Sequence, residues 1–104
     1  MKILFSPQSR FDALTLSREG DTLRVNDVTL DFSTLTEGDV LPVLDPDTGE
    51  TLHGTGSDWV LDVRRHEGRI EIKVLLPVGA EAPEAVRFPQ PLVMDGDGPV
   101  PMPG

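Results

Sequence analysis

Asp45, Asp47 and Glu50 place three carboxylates in one short segment, the oxygen-rich grouping that a hard divalent cation takes. A calcium loop of the EF-hand type needs a glycine at its sixth position and a chelating glutamate at its twelfth. Counted from Asp45, Gly49 stands fifth and Gly56 twelfth, so the ligand set is incomplete and the stretch reads as a solvated turn. Asp95 and Asp97 alternate with Gly96 and Gly98, which is turn chemistry. His53 and His66 are the only histidines, and without cysteine they lack the companion ligands of a structural zinc site. No Gly-x-Ser-x-Gly elbow is present, and no nucleophile, base and orienting group can be named together. Gly54-Thr55-Gly56 lacks the Gly-Lys-Ser/Thr that completes a phosphate loop, and reads as a linker. The chain is therefore expected to be non-enzymatic, with no catalytic, cofactor-binding or metal-ligating residue and no cofactor.

The elements behind these residues are strands. Residues 58–77 read as a long β-hairpin turning at Glu67-Gly68. That turn sets Arg64 opposite Glu71, Val63 opposite Ile72, Asp62 opposite Lys73, Leu61 opposite Val74 and Trp59 opposite Leu76. One face then carries opposite charges and the other only apolar side chains, so a one-residue slip would mismatch both. Arg65 opposite Ile70 is the misfit, placed near the solvent at the turn. Trp59, the only tryptophan, is expected to anchor the core.

Upstream, Leu14 and Leu16, Leu23 and Val25, and Val28, Leu30 and Phe32 alternate with polar residues, with turns at Glu19-Gly20 and Asn26-Asp27. Two-residue turns would align Leu16, Leu23 and Leu30 in one row and Leu14, Val25 and Val28 in the next, making a three-stranded meander. Met1, Ile3 and Phe5 suggest a first strand ended by Ser6-Pro7. Residues 33–57 are rich in glycine and proline and read as a long loop, functional or mobile. Within it, Asp47-Thr48-Gly49-Glu50 is placed to turn a small hairpin with Leu44 and Leu52 on its arms. After the long hairpin, residues 81–85 have room for one helical turn, residues 86–88 read as extended, and Leu92-Val93-Met94 reads as a last short strand. The resulting fold class is all-β: a small antiparallel sandwich or open barrel built from a meander and a long hairpin. One domain is expected over residues 1–98, with residues 99–104 a proline-rich flexible tail.

The 104 residues suffice for a modest core without staples, and ten glycines and ten prolines fit many turns between short strands. A net charge of -9 disfavours nucleic acid and anionic membranes as partners and leaves cationic surfaces as a class that would fit. The apolar run at the start is too short for a signal peptide, and no stretch is apolar enough to span a bilayer as a helix, so a cytoplasmic protein is expected.

Several blocks, in order along nearly the whole chain, carry a family likeness. They are Phe5-Ser6-Pro7; Gly20-Asp21-Thr22-Leu23 with Asn26; Asp31-Phe32-Ser33 with Glu37-Gly38 and Leu41-Pro42; Ser57-Asp58-Trp59; Leu75-Leu76-Pro77 with Gly79; Ala82-Pro83-Glu84; Arg87-Phe88-Pro89 with Pro91; and Asp97-Gly98-Pro99-Val100. Together they resemble a family of small proteins encoded in tailed phages and prophages, often near tail-fibre genes. The segment from Asp45 to Thr55 departs from that pattern as an insertion would. The resemblance implies a structural or interaction role in tail assembly, a phage structural or tail-assembly protein as partner, and the host cytoplasm or the virion as location. It implies no catalytic residues. The residues themselves leave a small ligand- or metal-binding β module as the alternative, with a hydrolase third.

Overall fold

A computed structural model describes residues 1–9, 13–79 and 89–101. The expected helical turn at 81–85 and extended piece at 86–88 lie outside the described residues. Among the described residues eleven strands run in chain order: β1 (Lys2–Ser9), β2 (Leu16–Glu19), β3 (Thr22–Val25), β4 (Val28–Asp31), β5 (Val40–Leu41), β6 (Val43–Leu44), β7 (Thr51–His53), β8 (Val60–His66), β9 (Arg69–Val78), β10 (Leu92–Val93) and β11 (Gly98–Pro99). They form a five-stranded sheet ordered β10-β1-β9-β8-β5, a four-stranded sheet ordered β11-β2-β3-β4, and a separate two-stranded sheet, β6-β7. The two larger sheets share one core. Ile3, Val60, Val63, Ile70, Ile72 and Val74 from the first meet Leu16, Leu23, Val25, Leu30, Phe32 and Val100 from around the second. No helix among the described residues is long and apolar enough to cross a membrane.

The all-β sandwich agrees with the alternation of apolar and polar residues, but one pairing is parallel. β1 runs alongside β9 from Lys2 opposite Glu71 to Ser9 opposite Val78. The strand does not stop at Ser6-Pro7: Pro7 lies within it, opposite Leu76. Proline is tolerated toward a sheet edge, and β10, on the other side of β1, pairs only with Lys2 and Ile3. Met1 and Ile3 are buried and Phe5 packs against the core, as the alternation requires.

The long hairpin turns at Glu67-Gly68, with His66 opposite Arg69. Both turn residues have left-handed backbones, at φ 53° and 75°, which suits the right-handed twist of the arms. Pairings from Arg65-Ile70 to Asp62-Lys73 follow the expected register; beyond them a bulge between Val60 and Asp62 changes it. Val60 replaces Leu61 opposite Val74 and is buried, while Leu61 turns outward. Trp59 precedes the strand: its backbone N–H donates to the Ser57 hydroxyl at 3.1 Å, and its carbonyl accepts Leu75 N–H at 2.8 Å. The extra residue of a bulge reverses which side chains face inward. Glu71, on the opposite face, is buried between Lys2 of β1 and Arg64 of β8, with a 2.7 Å bond from Arg64 Nε. Burial pushes its carboxyl upward, but the Arg64 bond and the positive charges of Arg64, Lys2 and His66 together hold it below the ordinary value.

The meander has one shifted turn. β2 and β3 join at Gly20-Asp21 rather than Glu19-Gly20, so Leu16 faces Val25 and Arg18 faces Leu23. The shift is two residues, which keeps each side chain on its expected face. Leu23 opposite Leu30 and Val25 opposite Val28 stand as expected. Asn26 occupies φ 53°, and its side-chain oxygen accepts Thr15 N–H at 2.8 Å. The start of the proposed tail belongs to the sandwich. Gly98 and Pro99 pair with Arg18 and Ser17, Val100 N–H donates to Leu16 at 2.9 Å, and Val100 is buried. Burying Val100 ties the chain down that far; residues 102–104 lie outside the described residues.

Two arginines brace one end of the sandwich. Arg65, expected in solvent, lies on the core face of β8, and its Nη2 meets Asp21 Oδ2 of the opposite sheet at 2.9 Å. The same guanidinium donates to the carbonyls of Leu35, Phe32 and Gly68. Arg18 reaches the other way, to the carbonyls of Gly20, Met94 and Gly96, and Asp97 accepts Gly20 N–H at 2.9 Å.

Acid should weaken this framework by a definable route. Glu37 accepts the N–H groups of Gly68 and Glu67, at 3.0 and 2.5 Å, and these bonds hold its carboxyl below its ordinary value of 4.5. Bonds from Thr36 lower Asp39 in the same way, and bonds from Ser33 lower Asp31. A carboxyl held low in the native state gives stability that is complete above the unfolded value and lost as pH falls through the native one. The melting midpoint of Glu37→Gln is therefore expected to fall less than that of the wild type between about pH 5 and pH 3. Equal acid slopes for the two proteins in a pH series of thermal melts would refute the Glu37 clamp.

Candidate functional site

The segment between β4 and β8 extends one large sheet and then builds a small sheet of its own. β5 adds to the edge of β8, with Val40 opposite Arg64 and Leu41 opposite Val63. After the cis Leu41-Pro42 bond, β6 and β7 pair, among the described residues, only with each other, Val43 opposite His53 and Leu44 opposite Thr51. The small hairpin expected around Leu44 and Leu52 is thus present as an arm that forms a sheet of its own. Its tip is closed by Asp45, whose Oδ1 accepts Asp47 N–H at 2.8 Å and Thr48 N–H at 3.3 Å. The backbone of Asp45 also bonds that of Glu50 and Gly49, both at 2.8 Å. Asp45 is a turn-forming residue here, because its carboxylate is spent on its own backbone.

Every residue of β6 and β7 is exposed. Among the described residues the large apolar side chains left exposed are Val28, Val40, Val43, Leu44, Leu52, Leu61 and Val93. All but Val93 surround the arm. Leu44 and Leu52 lie on it, at 51% and 55% exposure. Val28 and Leu61 line an open cleft of 750 Å³ on one side, together with Pro42, Thr51 and Trp59. Val40 and Val43 line a second, of 420 Å³, with Leu35 and His53. An apolar surface gathered in this way, with sheet edges open beside it, has the character of a protein-binding surface.

The floor of the larger cleft is fixed by Gly56. Its φ is +94°, and a Cβ there would stand 2.7 Å from Leu30 Cδ2, a buried core atom. Thr55 locks the same loop by donating to the carbonyls of Ser57 and Val60 at 3.0 and 2.9 Å. Gly56→Ala is expected to lose about 2–3 kcal/mol, from a left-handed backbone and displacement of Leu30. Gly54→Ala, which meets only a backbone nitrogen at 4.0 Å, should stay within about 0.5 kcal/mol of wild type. Equal denaturation midpoints for the two variants would contradict this packing.

Charge is distributed as unevenly as apolar surface. Residues 25–63 contain nine acidic residues and no lysine or arginine, while the rest of the chain carries nine of each sign. The whole net charge of -9 therefore belongs to the segment that builds the arm and its surroundings. This was present in the sequence as a run without cations, and a total charge for the chain hides it.

The residues considered for chemistry are spread over separate elements. His53 sits on the arm; His66, beside the long hairpin's turn, has Nε2 3.8 Å from Glu67 Oε1 with both side chains exposed. Asp97 is engaged with Gly20. Among the described residues no three histidine or carboxylate side chains gather as a metal-holding group. Trp59 is half-buried between core and cleft, so it both anchors the hairpin and lines the candidate surface. Comparison of the chain with protein-family models, curated proteins and solved structures gave no match.

Proposed function

We propose that this chain is a non-enzymatic structural or interaction protein of phage or prophage tail assembly. Its partner would be a phage structural or tail-assembly protein, met in the host cytoplasm or within the virion. The phage context rests on the ordered sequence blocks described above. The observation that carries the interaction role is the β6-β7 arm, whose residues are all exposed and which lies beside most of the exposed large apolar side chains among the described residues. A two-stranded hairpin alone is marginally stable in water, so this element has much to gain from an added strand or a covering surface. Burial there would remove Leu44 and Leu52 from water at about 25 cal/mol per Å² of apolar area.

Co-expression with the products of neighbouring tail genes, followed by purification through this chain, tests the role. A stable complex with a tail component is expected, and the absence of any complex would refute it. A small-ligand module is the second reading, favoured by the cleft that Trp59 and Asp58 line. In that cleft Thr55 and Ser57 are already bonded to their own loop, which leaves few groups to orient a small molecule.

A further inference from the structure

We infer that the β6-β7 arm takes a basic, extended protein segment that alternates cationic and apolar side chains. The inference rests on the interaction role proposed above and specifies the chemistry of the partner. Two features converge on it. The arm offers strand edges that no described strand pairs, with Val43, Leu44 and Leu52 exposed, a surface that a further strand can extend through backbone bonds and apolar contacts. Carboxylates gather around it, and the nearest cation at the adjoining edge, Arg64 opposite Val40, is already paired with Glu71. Asp45, Asp47 and Glu50 form the tip, Asp39 and Asp58 line the flanking clefts, and residues 25–63 hold no lysine or arginine to offset them.

Charge complementarity selects among occupants. A second copy of this chain would bring the same acidic segment against itself, and nucleic acid or an anionic bilayer would be repelled. A neutral apolar strand would fit the edge but leave the carboxylates uncompensated. A strand with cationic residues on one face and apolar residues on the other satisfies both, because side chains alternate along it. The long-range attraction would speed encounter, and the apolar contacts would hold the complex.

The test uses the full chain and an extended synthetic peptide alternating lysine with valine, followed through the fluorescence of Trp59, the only tryptophan. A glutamate-valine peptide and polylysine serve as comparisons. Leu44→Ser/Leu52→Ser removes the apolar contacts, and Asp47→Lys/Glu50→Lys reverses the field at the tip. These side chains are exposed, so both variants should melt like the wild type. The lysine-valine peptide is expected to bind the wild type, and to bind each variant at least about tenfold more weakly. Its binding should weaken as salt is raised to about 1 M, where screening reaches about 3 Å. The glutamate-valine peptide should not bind, and polylysine should bind more weakly than the alternating peptide.

Equal binding to wild type and Leu44→Ser/Leu52→Ser would overturn the inference, as would equal binding of both alternating peptides or no binding of either. A concentration-dependent dimer abolished by Leu44→Ser/Leu52→Ser in sedimentation would also overturn it, by assigning the arm to a second copy. Capture of the same co-expressed tail protein by wild type and Leu44→Ser/Leu52→Ser alike would retain the interaction role while removing the arm from it. Loss of capture by both would refute the role itself.

Discussion

Val60→Asp is expected to unfold the protein, whereas Leu61→Asp, one residue further on, leaves it folded. Val60 is 4% exposed and packs in the shared core; Leu61 is 38% exposed and faces the open cleft. A carboxylate at Val60 would be buried in an apolar neighbourhood, at a cost of about 4 kcal/mol or more. That is a large part of the roughly 5–15 kcal/mol that stabilises a domain. At Leu61 the same carboxylate stays in water, and the change should be within about 1 kcal/mol. Strict alternation through this strand would give the opposite ranking, so urea denaturation of the pair tests the bulge directly. A stable Val60→Asp beside an unfolded Leu61→Asp would show that the strand pairs without it.

Arg65→Ala should be the most damaging substitution of a charged residue in the sandwich. Its side chain is only 16% exposed, and it links the two sheets through Asp21 while bonding three carbonyls. Truncation would leave a carboxylate and these carbonyls without their cation. Because Asp21 is 38% exposed and can regain water, the expected loss is about 2–3 kcal/mol, less than for a fully buried pair. In a domain of this size that lowers the melting midpoint by about 10–20 °C. Arg65→Lys should fall between, since an ammonium cannot match the branched geometry of the guanidinium. Asp21→Asn should cost less than Arg65→Ala, because the carbonyl bonds survive. Equal midpoints for Arg65→Ala and wild type would remove the bracing role.

These two sites mark where local pattern stops informing. Alternation showed which residues belong to strands, and Glu67-Gly68 and Asn26-Asp27 located two turns, because side-chain period and turn chemistry are local properties. The parallel pairing of β1 with β9 was not legible: its partners lie far apart in sequence, and period fixes a strand's faces but not its neighbours. The Val60-Leu61 bulge interrupts the alternation without a glycine to announce it. Arg65 read as a solvent-side misfit because its acceptors, Asp21, Phe32 and Leu35, come from distant segments. Pro99 and Val100 looked like tail by composition, yet one buried valine and the edge of β2 bind them to the core. The arm was partly legible from Asp47-Thr48-Gly49-Glu50; its separation from both sheets depends on the fold.

The division between a packed sandwich and an exposed arm, proposed to meet the partner, is tested most directly by hydrogen exchange of the free chain and of its complex with a co-expressed tail protein. In the free chain the amides of Ile72 and Val74, in the central strand β9, should exchange slowly, and those of Val43, Leu44 and Leu52 rapidly. In the complex, new protection should appear on the arm and leave β9 unchanged. An arm already as protected as β9 in the free chain, or new protection confined to surfaces away from residues 40–61, would contradict it.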